Sequence, residues 1–471
     1  MSTTYETQLA VIGAGPGGYP AAFHAADLGM KVILIDRDEN PGGVCLYRGC
    51  IPSKALLHAA QIIQHAREAE DIGIRFATPE IDFDRIREWR DQVVGKLTGG
   101  LGQLTKQRGI QFIRGTAQFR DAHSLTVAGA DGERSVVQFE HAILATGSVP
   151  AMPRFLPESP RIMDSTGALE IAEIPERLLV MGGGYIGLEL GQVYAAFGTA
   201  VSVVEMQAAL LPQVDPDLVK PLASRLKHEF HEIMLNTRVT AMRDTGSEVE
   251  VDLEASDGAT RTETYGRVLV AVGRRPVTSG LGLENTQIEV DDKGFVKVDE
   301  HRRTTEPTIY AIGDIAGQPM LAHKATHEGR SAVEAIHGEK AIYDPRAIPA
   351  VVFTDPEIAW AGLSEDEARR AGFDVRVGAF PWQASGRAAT LDRSEGLTKI
   401  IADAEDGRVL GIGIAGPSAG ELIGEAVLAI EMGAVAEDLA LTIHAHPSLS
   451  ETIMEAAERV LGQSTHYFQR L

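Results

Sequence analysis

The sequence predicts an α/β chain, with two parallel-sheet domains of like design followed by a smaller α+β domain. Three observations predict it: a segment that occurs twice, a change of pattern near residue 346, and a length of 471 residues. That length suits two to four domains at roughly 100–200 residues each.

The repeat comes first. Residues 9–36 read LAVIGAGPGGYPAAFHAADLGMKVILID, and residues 178–205 read LLVMGGGYIGLELGQVYAAFGTAVSVVE. Gly13, Gly15, Gly18 and Asp36 of the first copy recur as Gly182, Gly184, Gly187 and Glu205 of the second. Each copy reads as an apolar strand, a glycine turn, a small-residue helix and a second strand ending in a carboxylate, the βαβ pattern of a sheet covered on both faces. The first glycine of such a turn makes it tight, the second lets backbone approach a pyrophosphate, and the third lets helix pack on strand. The helix N-terminus offers N–H donors to phosphate, and the carboxylate accepts from a ribose hydroxyl. A glycine turn that serves only close helix–sheet packing is the bland alternative. Two copies predict two Rossmann-like dinucleotide-binding domains, one for a flavin and one for a nicotinamide, exchanging a hydride. Glu205 would repel a 2′-phosphate and the following MQAAL holds no arginine, so the nicotinamide is expected to be NAD rather than NADP.

Between the copies, residues 55–110 are expected to be mainly helical, with polar hairpin strands to about 140 and a separate strand at 141–147. Pro150 and Pro153 mark a linker. After the second copy come turn-rich strands, the strand 267–273 and a breaker, Arg274-Arg275-Pro276. Residues 308–314 form a strand leading into a helix. From about 346 three or more strands precede two helices, which reads as an α+β domain. The expected domains are 1–149 and 277–345 for the first nucleotide, 150–276 for the second, and 346–471 at the C-terminus.

Composition excludes several classes. Lys and Arg total 44 against 66 Asp and Glu, a net charge of −22, which opposes phosphate-backbone binding to nucleic acid. No apolar run reaches membrane-spanning length, and the N-terminus lacks the basic start of a signal peptide. The chain has two cysteines, too few for a secreted disulfide framework, so a cytoplasmic setting is expected.

Both cysteines lie in GGVCLYRGCIPSK, residues 42–54, as Cys45 and Cys50. Zinc would need two more ligands, so no metal site is expected. A structural disulfide here would close a loop too short to stabilise much. A redox pair fits better, because Cys50 stands at the start of an amphipathic helix with Lys54 close behind, features that lower a thiol pKa. Near the C-terminus, HAHPSLSE (444–451) also has a bland reading. Ser448 and Glu451 form the S-x-x-E spacing of a capping box, and His446 would be a turn residue.

Taken in order, GAGPGG, GGVCLYRGCIPSK, ATG (145–147), GGGYIGLE (182–189), VGRRP (272–276), AIGD (311–314), PMLAHKATHEG (319–329) and HAHPSLSE run along essentially the whole chain. In them the chain resembles the pyridine nucleotide–disulfide oxidoreductases, and within that family the branch acting on dihydrolipoamide. The resemblance implies FAD at the first site and NAD at the second, with Cys45 exchanging with substrate and Cys50 against the flavin. Lys54 would lie near the flavin N5, paired with Glu189, a pair that by itself would read as an ordinary solvated contact. Asp314 would hold the ribityl chain, with Ala117, Gly147, Gly313, Met320, Leu321 and Ala322 also touching FAD. Tyr185 would cover the flavin on the nicotinamide side, and Val239 and Gly273 would touch NAD. A dithiol substrate needs a base, and an imidazole oriented by a carboxylate is the usual one. The resemblance gives that work to His446 and Glu451, acting on the cysteines of the other subunit of a homodimer, with His444 in a structural role. The implied partners are dihydrolipoamide on a lipoyl domain and the acyltransferase core of a 2-oxoacid dehydrogenase complex. Tyr47 and Arg48 depart from the family's usual Asn-Val, and Asp36 from its commoner Glu. The rivals are a glutathione-reductase-like enzyme, whose NADPH preference Glu205 opposes, and a non-catalytic flavin-binding subunit. Relatives needing a second thiol pair are excluded, because the tail STHYFQRL has none.

Overall fold

A computed structural model describes residues 3–129 and 132–468. The chain packs as two compact units. One comprises Met1–Leu56, Asp82–Ala151 and Gly273–Asp344; the other comprises Leu57–Ile81, Met152–Val272 and Pro345–Leu471.

The first unit holds a parallel sheet in the order Gln111–Asp121, Val32–Asp36, Thr3–Ile12, Arg134–Leu144, Ile309–Ala311. Its inner strands are continuous apolar runs because both faces are covered. Side chains alternate between those faces. Leu9, Val11 and Leu34 pack with Ala21, Ala25, Ala332 and Val333 of the helices Gly18–Asp27 and Ala322–Ile336. Ala10, Ile12, Ile33 and Ile35 face Phe119, Leu125 and Val137 on the opposite side. The strand Ser124–Gly129 joins antiparallel between Gln111–Asp121 and Arg134–Leu144.

Two expectations are corrected here. The strand expected at 141–147 is the inner end of one continuous strand, Arg134–Leu144. Its polar half alternates against the meander, and its apolar half, HAIL, enters the covered sheet, so composition changes without a break in the backbone. Residues 274–276 are not a breaker: they pair antiparallel with Ser148–Pro150. A two-stranded ribbon leaves each proline a side that needs no N–H donor.

The second unit repeats the design, with a parallel sheet in the order Glu232–Met234, Ala200–Val204, Arg177–Met181, Arg267–Val270, Ile162–Met163. The meander Thr237–Asp244, Val249–Ala255, Thr260–Tyr265 accompanies it. The C-terminal part has five antiparallel strands, Ala350–Val352, Ile358–Gly362, Val409–Ala415, Leu397–Asp403 and Val375–Pro381 in spatial order. Helices Ala419–Met432 and Glu451–Val460 close its core around Phe380, Trp382 and Ile412. The Trp382 indole N–H donates to Thr398 at 2.9 Å, and Thr398 donates to Thr452 at 2.8 Å, so the buried polar atoms are satisfied. Buried Lys399 of this sheet reaches Asp215, Asp217 and Glu365 at 2.9–3.1 Å and ties it to the helix Pro216–Glu229.

Candidate active site

The two glycine turns are tight at matching positions. Gly13 and Gly182 sit at φ +98° and +114°, and a Cβ on either would lie 2.3 or 2.5 Å from the carbonyl oxygen of Ala145 or Ala271. Only glycine fits there. A Cβ at Gly18 or Gly187 would strike the carbonyl oxygen of Gly13 or Gly182, at 1.8 or 2.4 Å, so these glycines let helix meet strand. Gly15 and Gly184 differ. A Cβ at Gly15 would find nothing closer than the Gly43 Cα at 3.9 Å, and one at Gly184 nothing within 4 Å. Protein packing therefore does not demand glycine at these two positions. An open cradle at a helix N-terminus is what a dinucleotide pyrophosphate requires.

The carboxylates match as well. Asp36 accepts the Ala14 N–H at 2.6 Å and the Asp38 N–H at 3.0 Å. Glu205 accepts the Gly183 N–H at 2.7 Å and the Gln207 N–H at 2.8 Å. Each is fixed beside its own glycine turn with lone pairs left for ribose hydroxyls. Both turns thus fit a dinucleotide.

The redox segment folds directly against the first turn. The Gly42 N–H donates to the Ala14 carbonyl at 2.8 Å, and a Cβ on Gly43 would come within 2.5 Å of the Gly15 Cα. From there a short helix, Gly43–Arg48, carries Cys45, and Cys50 opens the helix Cys50–Glu68 with Lys54 on its first turn. Both cysteines are free thiols; Cys45 is half-buried and Cys50 exposed. Hydrogen bonding to Cys50, then burial, pushes the Cys45 thiol up from its ordinary pKa.

Asp314 follows Gly313 in a short 3-10 turn, Gly313–Ala316. Its carboxylate accepts from the Ser148 hydroxyl, which in turn accepts from Arg274 Nε at 2.7 Å. The Gly313 N–H donates to Glu328 at 2.6 Å. Glu328 is fully buried and pairs with Lys324 and Arg302, each at 3.0 Å. Lys324 also donates to the Gly317 carbonyl at 3.1 Å. This buried triad fixes the 313–317 loop, and sequence reasoning missed it. Gly147 lies at φ +71° beside Ser148, and Met320 and Leu321 lead into the helix that begins at Ala322. Ala117 and Val239 are buried in apolar clusters.

In the second unit Tyr185 opens the helix Tyr185–Ala196 with its side chain partly exposed. Glu189 of that helix is buried and accepts the Phe353 N–H at 3.0 Å. Gly273, in the first unit, sits at φ +127°.

Near the C-terminus one histidine is pinned and the other presented. His444 Nε2 contacts Glu425 at 2.8 Å and its Nδ1 contacts the Thr442 carbonyl at 2.9 Å. His446 Nδ1 contacts Glu451 Oε1 at 2.9 Å, while its side chain is 75% exposed. Glu451 Oε2 accepts the Ser448 N–H at 2.7 Å, which pins the turn before the helix while Oε1 orients the imidazole. The capping box expected from Ser448 is not completed, because the helix starts at Glu451 itself, after Ser450, and no side chain caps it. Burial would raise the Glu451 pKa, but the Ser448 N–H and the His446 bond outweigh it and hold the carboxyl below the usual range. With Nδ1 engaged, Nε2 is the nitrogen that can take a proton from a thiol.

Residues 7–329 match the model of the pyridine nucleotide-disulphide oxidoreductases, and residues 348–457 match that family's dimerisation domain. The chain belongs to the pyridine nucleotide-disulphide oxidoreductases. This oxidoreductase is 48% identical over 466 residues to dihydrolipoyl dehydrogenase of Vibrio parahaemolyticus, covering 99% of this chain and 98% of the relative. It is 47% identical over 470 residues to dihydrolipoyl dehydrogenase of Thermus scotoductus, covering 99% and 100%. Among solved structures it superposes on LpdA of Mycobacterium tuberculosis with a TM-score of 0.89 at 29% identity, covering 96% of this chain and 99% of that one. The oxidoreductase is an NAD-dependent flavoprotein, with FAD and NAD as its cofactors. Among its described residues no helix is long and apolar enough to cross a membrane.

Proposed function

We propose that this oxidoreductase reoxidises dihydrolipoamide with NAD⁺, yielding lipoamide, NADH and a proton. The observation that carries the reading is the exposed His446 imidazole held by Glu451, in a chain that also sets Cys45 against Cys50. In the oxidised chain those two cysteines form a disulfide. His446 Nε2 takes the proton from one substrate thiol. The resulting thiolate bonds to Cys45 Sγ, the Cys45–Cys50 bond breaks, and Cys50 leaves as a thiolate. The second substrate thiol attacks the first substrate sulfur, closing lipoamide and releasing Cys45, whose Sγ takes up that thiol's proton while His446 keeps the first. Two electrons have then passed from substrate to the cysteine pair. When bound, FAD supplies the electron acceptor between this dithiol and NAD⁺. Asp36 and Glu205 would accept from the ribose hydroxyls of the two dinucleotides. Asp314 would hold the ribityl chain, and Lys54 and Tyr185 would serve the flavin ring.

His446 serves the cysteines of a second copy. Leu428, Met432, Leu441 and Ile443 are exposed large apolar residues on the stretch leading to it, inside the region matching the dimerisation domain. Leaving them in water is costly, and a second copy covers them. The lipoyl arm of an acyltransferase core brings the substrate, and the net charge of −22 suits a basic binding module there. With two cysteines and a catalytic pair to keep reducible, the cytoplasm is the fitting compartment.

Anaerobic titration with dihydrolipoamide, followed by the flavin spectrum, tests the reaction. The flavin band should shift and a long-wavelength thiolate-to-flavin band should appear, and that band should be missing in Cys50→Ser. No spectral change in the unaltered enzyme would overturn the reading.

A further inference from the structure

Tyr47 and Arg48 lie between the two cysteines, and the proposed chemistry uses neither. Both reach the loop that follows Asp36. Arg48 donates through Nη1 to Asp38 Oδ1 at 3.0 Å and through Nη2 to Oδ2 at 2.6 Å, a two-pronged pair with both side chains under one-third exposed. Tyr47 Oη accepts the Asn40 N–H and donates to the Asn40 carbonyl, each at 3.2 Å. The loop they grip is wired to the first dinucleotide site. The Asp38 N–H donates to Asp36, and Asp36 accepts the Ala14 N–H inside the glycine turn. On its outer side the Asn40 side chain is wedged against the helix Phe83–Gln107, where a Cβ at Gly102 would come within 2.0 Å of the Asn40 Oδ1. The loop is therefore held at Asn40 by that helix and by Tyr47, and at Asp38 by the Arg48 fork from the helix that carries Cys45.

We propose that Arg48, through Asp38, is a positioning residue that couples FAD retention to the thiol reactivity of Cys45. A fork to a carboxylate fixes both distance and orientation, which a lysine or an apolar residue at position 48 does not. With the fork closed, the adenosine end of FAD and the Gly43–Arg48 helix hold each other in place. With it open, the loop loosens at the ribose and the helix turns Cys45 outward. The inference rests on the functional reading above, which makes Cys45 and Cys50 the redox pair and the first glycine turn the FAD site.

The test compares holoenzymes of the unaltered chain, Arg48→Val, Asp38→Asn, the double variant and Arg48→Lys. Two quantities are followed: the rate of FAD release by flavin fluorescence, and the rate of iodoacetamide capture of Cys45 after reduction by NADH, read by peptide mass. Each of Arg48→Val and Asp38→Asn should speed both processes by about fivefold, the size expected of one half-buried charged fork. The double variant should be no worse than either single, and Arg48→Lys should recover only part of the effect. Multiplicative effects in the double variant, or faster FAD release with unchanged Cys45 capture, would overturn the coupling. Asp38→Asn changes no side-chain volume to speak of, so it guards against misfolding of the valine variant. If the unaltered enzyme's flavin does not respond to dihydrolipoamide, the functional reading fails; if it responds and the variants behave as the unaltered chain, the coupling alone fails.

Discussion

His446 and Glu451 meet at 2.9 Å between imidazole Nδ1 and carboxylate Oε1, and the other carboxylate oxygen accepts the Ser448 N–H. One acidic side chain thereby fixes the turn before its helix and aims a base. Glu451→Gln keeps one acceptor but loses the charge that favours the imidazolium formed during proton transfer. Turnover with dihydrolipoamide should fall about 10–100-fold, and His446→Ala should cost about 10²–10⁴-fold, the range for loss of a general base. Flavin reduction by NADH, which needs no thiol base, should survive in both variants. Equal loss of the NADH half-reaction would assign these residues to folding instead.

If His446 acts on a second copy, two inactive proteins should rescue each other. A heterodimer of His446→Ala with Cys45→Ser holds one intact site of its two, so roughly half the activity per dimer should return by ordinary general-base accounting. Silence in a verified heterodimer would place the whole site in one chain.

Gly15 and Gly184 offer a test of the two nucleotide sites that avoids damaging the fold. A Cβ at either meets no protein atom closer than 3.9 Å, so Gly15→Ala and Gly184→Ala should fold normally. Gly15→Ala should weaken FAD binding, and Gly184→Ala should raise KM for NAD⁺, each by about tenfold or more, because a methyl group would stand where the pyrophosphate approaches. Gly13→Ala, with its Cβ 2.3 Å from a carbonyl oxygen at φ +98°, should fail to accumulate as folded protein. Unimpaired FAD retention in Gly15→Ala would displace the flavin from this turn.

The last described turn of the chain should respond to pH. His466 pairs with the buried Glu455, and Tyr467 packs its ring 4.7 Å from the Arg459 guanidinium. The hydrogen bond to Glu455, then its charge, raises the His466 pKa above its ordinary value of 6.5. A raised folded-state pKa means the tail's docking is fully favourable below that ordinary value and is lost as pH climbs through the higher one. The His466 ring resonances should titrate at higher pH than in Glu455→Gln, and cleavage of the tail by a protease should accelerate on the alkaline side. A shared midpoint would show that the pair contributes nothing.

Lys399 holds three carboxylates from two directions, and removing its charge leaves Asp215, Asp217 and Glu365 facing one another. Lys399→Met should lower stability by about 2–4 kcal/mol, somewhat under the cost of breaking a wholly buried pair, because Asp217 faces solvent. Urea unfolding would measure it. An unchanged midpoint would mean the methionine packs as well as the ion pairs bind.

The nucleotide-binding design was legible because it is local. Glycines, small helix residues and the closing carboxylates lie within one βαβ stretch, and the second copy repeats the first contact for contact, from Asp36 and Ala14 to Glu205 and Gly183. Distant pairings left weaker traces. Arg274-Arg275-Pro276 looks like a stop in any local window, and only Ser148–Pro150 makes it a strand. Lys324 and Glu328 have the spacing of a solvent-facing helix pair, yet the helix buries both to hold the 313–317 loop. Periodicity reports which face of a helix is apolar, and it cannot say that a charged pair on that face is covered. For Glu451 the local reading misled: its S-x-x-E spacing predicts a capping box that the helix does not complete, and its grip on His446, expected only from the family resemblance, depends on how the chain turns before the helix.

The ribbon of Ser148–Pro150 with Arg274–Pro276 deserves a last thought. The Ala151 N–H meets the Gly273 carbonyl at 2.9 Å, so the two ends of the stretch from Met152 to Val272 lie a hydrogen bond apart. An insertion whose ends already meet adds little closure cost to its host. It is not free of its neighbours, because Asp215 and Asp217 hold Lys399 and Glu189 holds the Phe353 N–H. A graft of another sequence at this point would therefore close easily and still have to supply partners for a buried lysine.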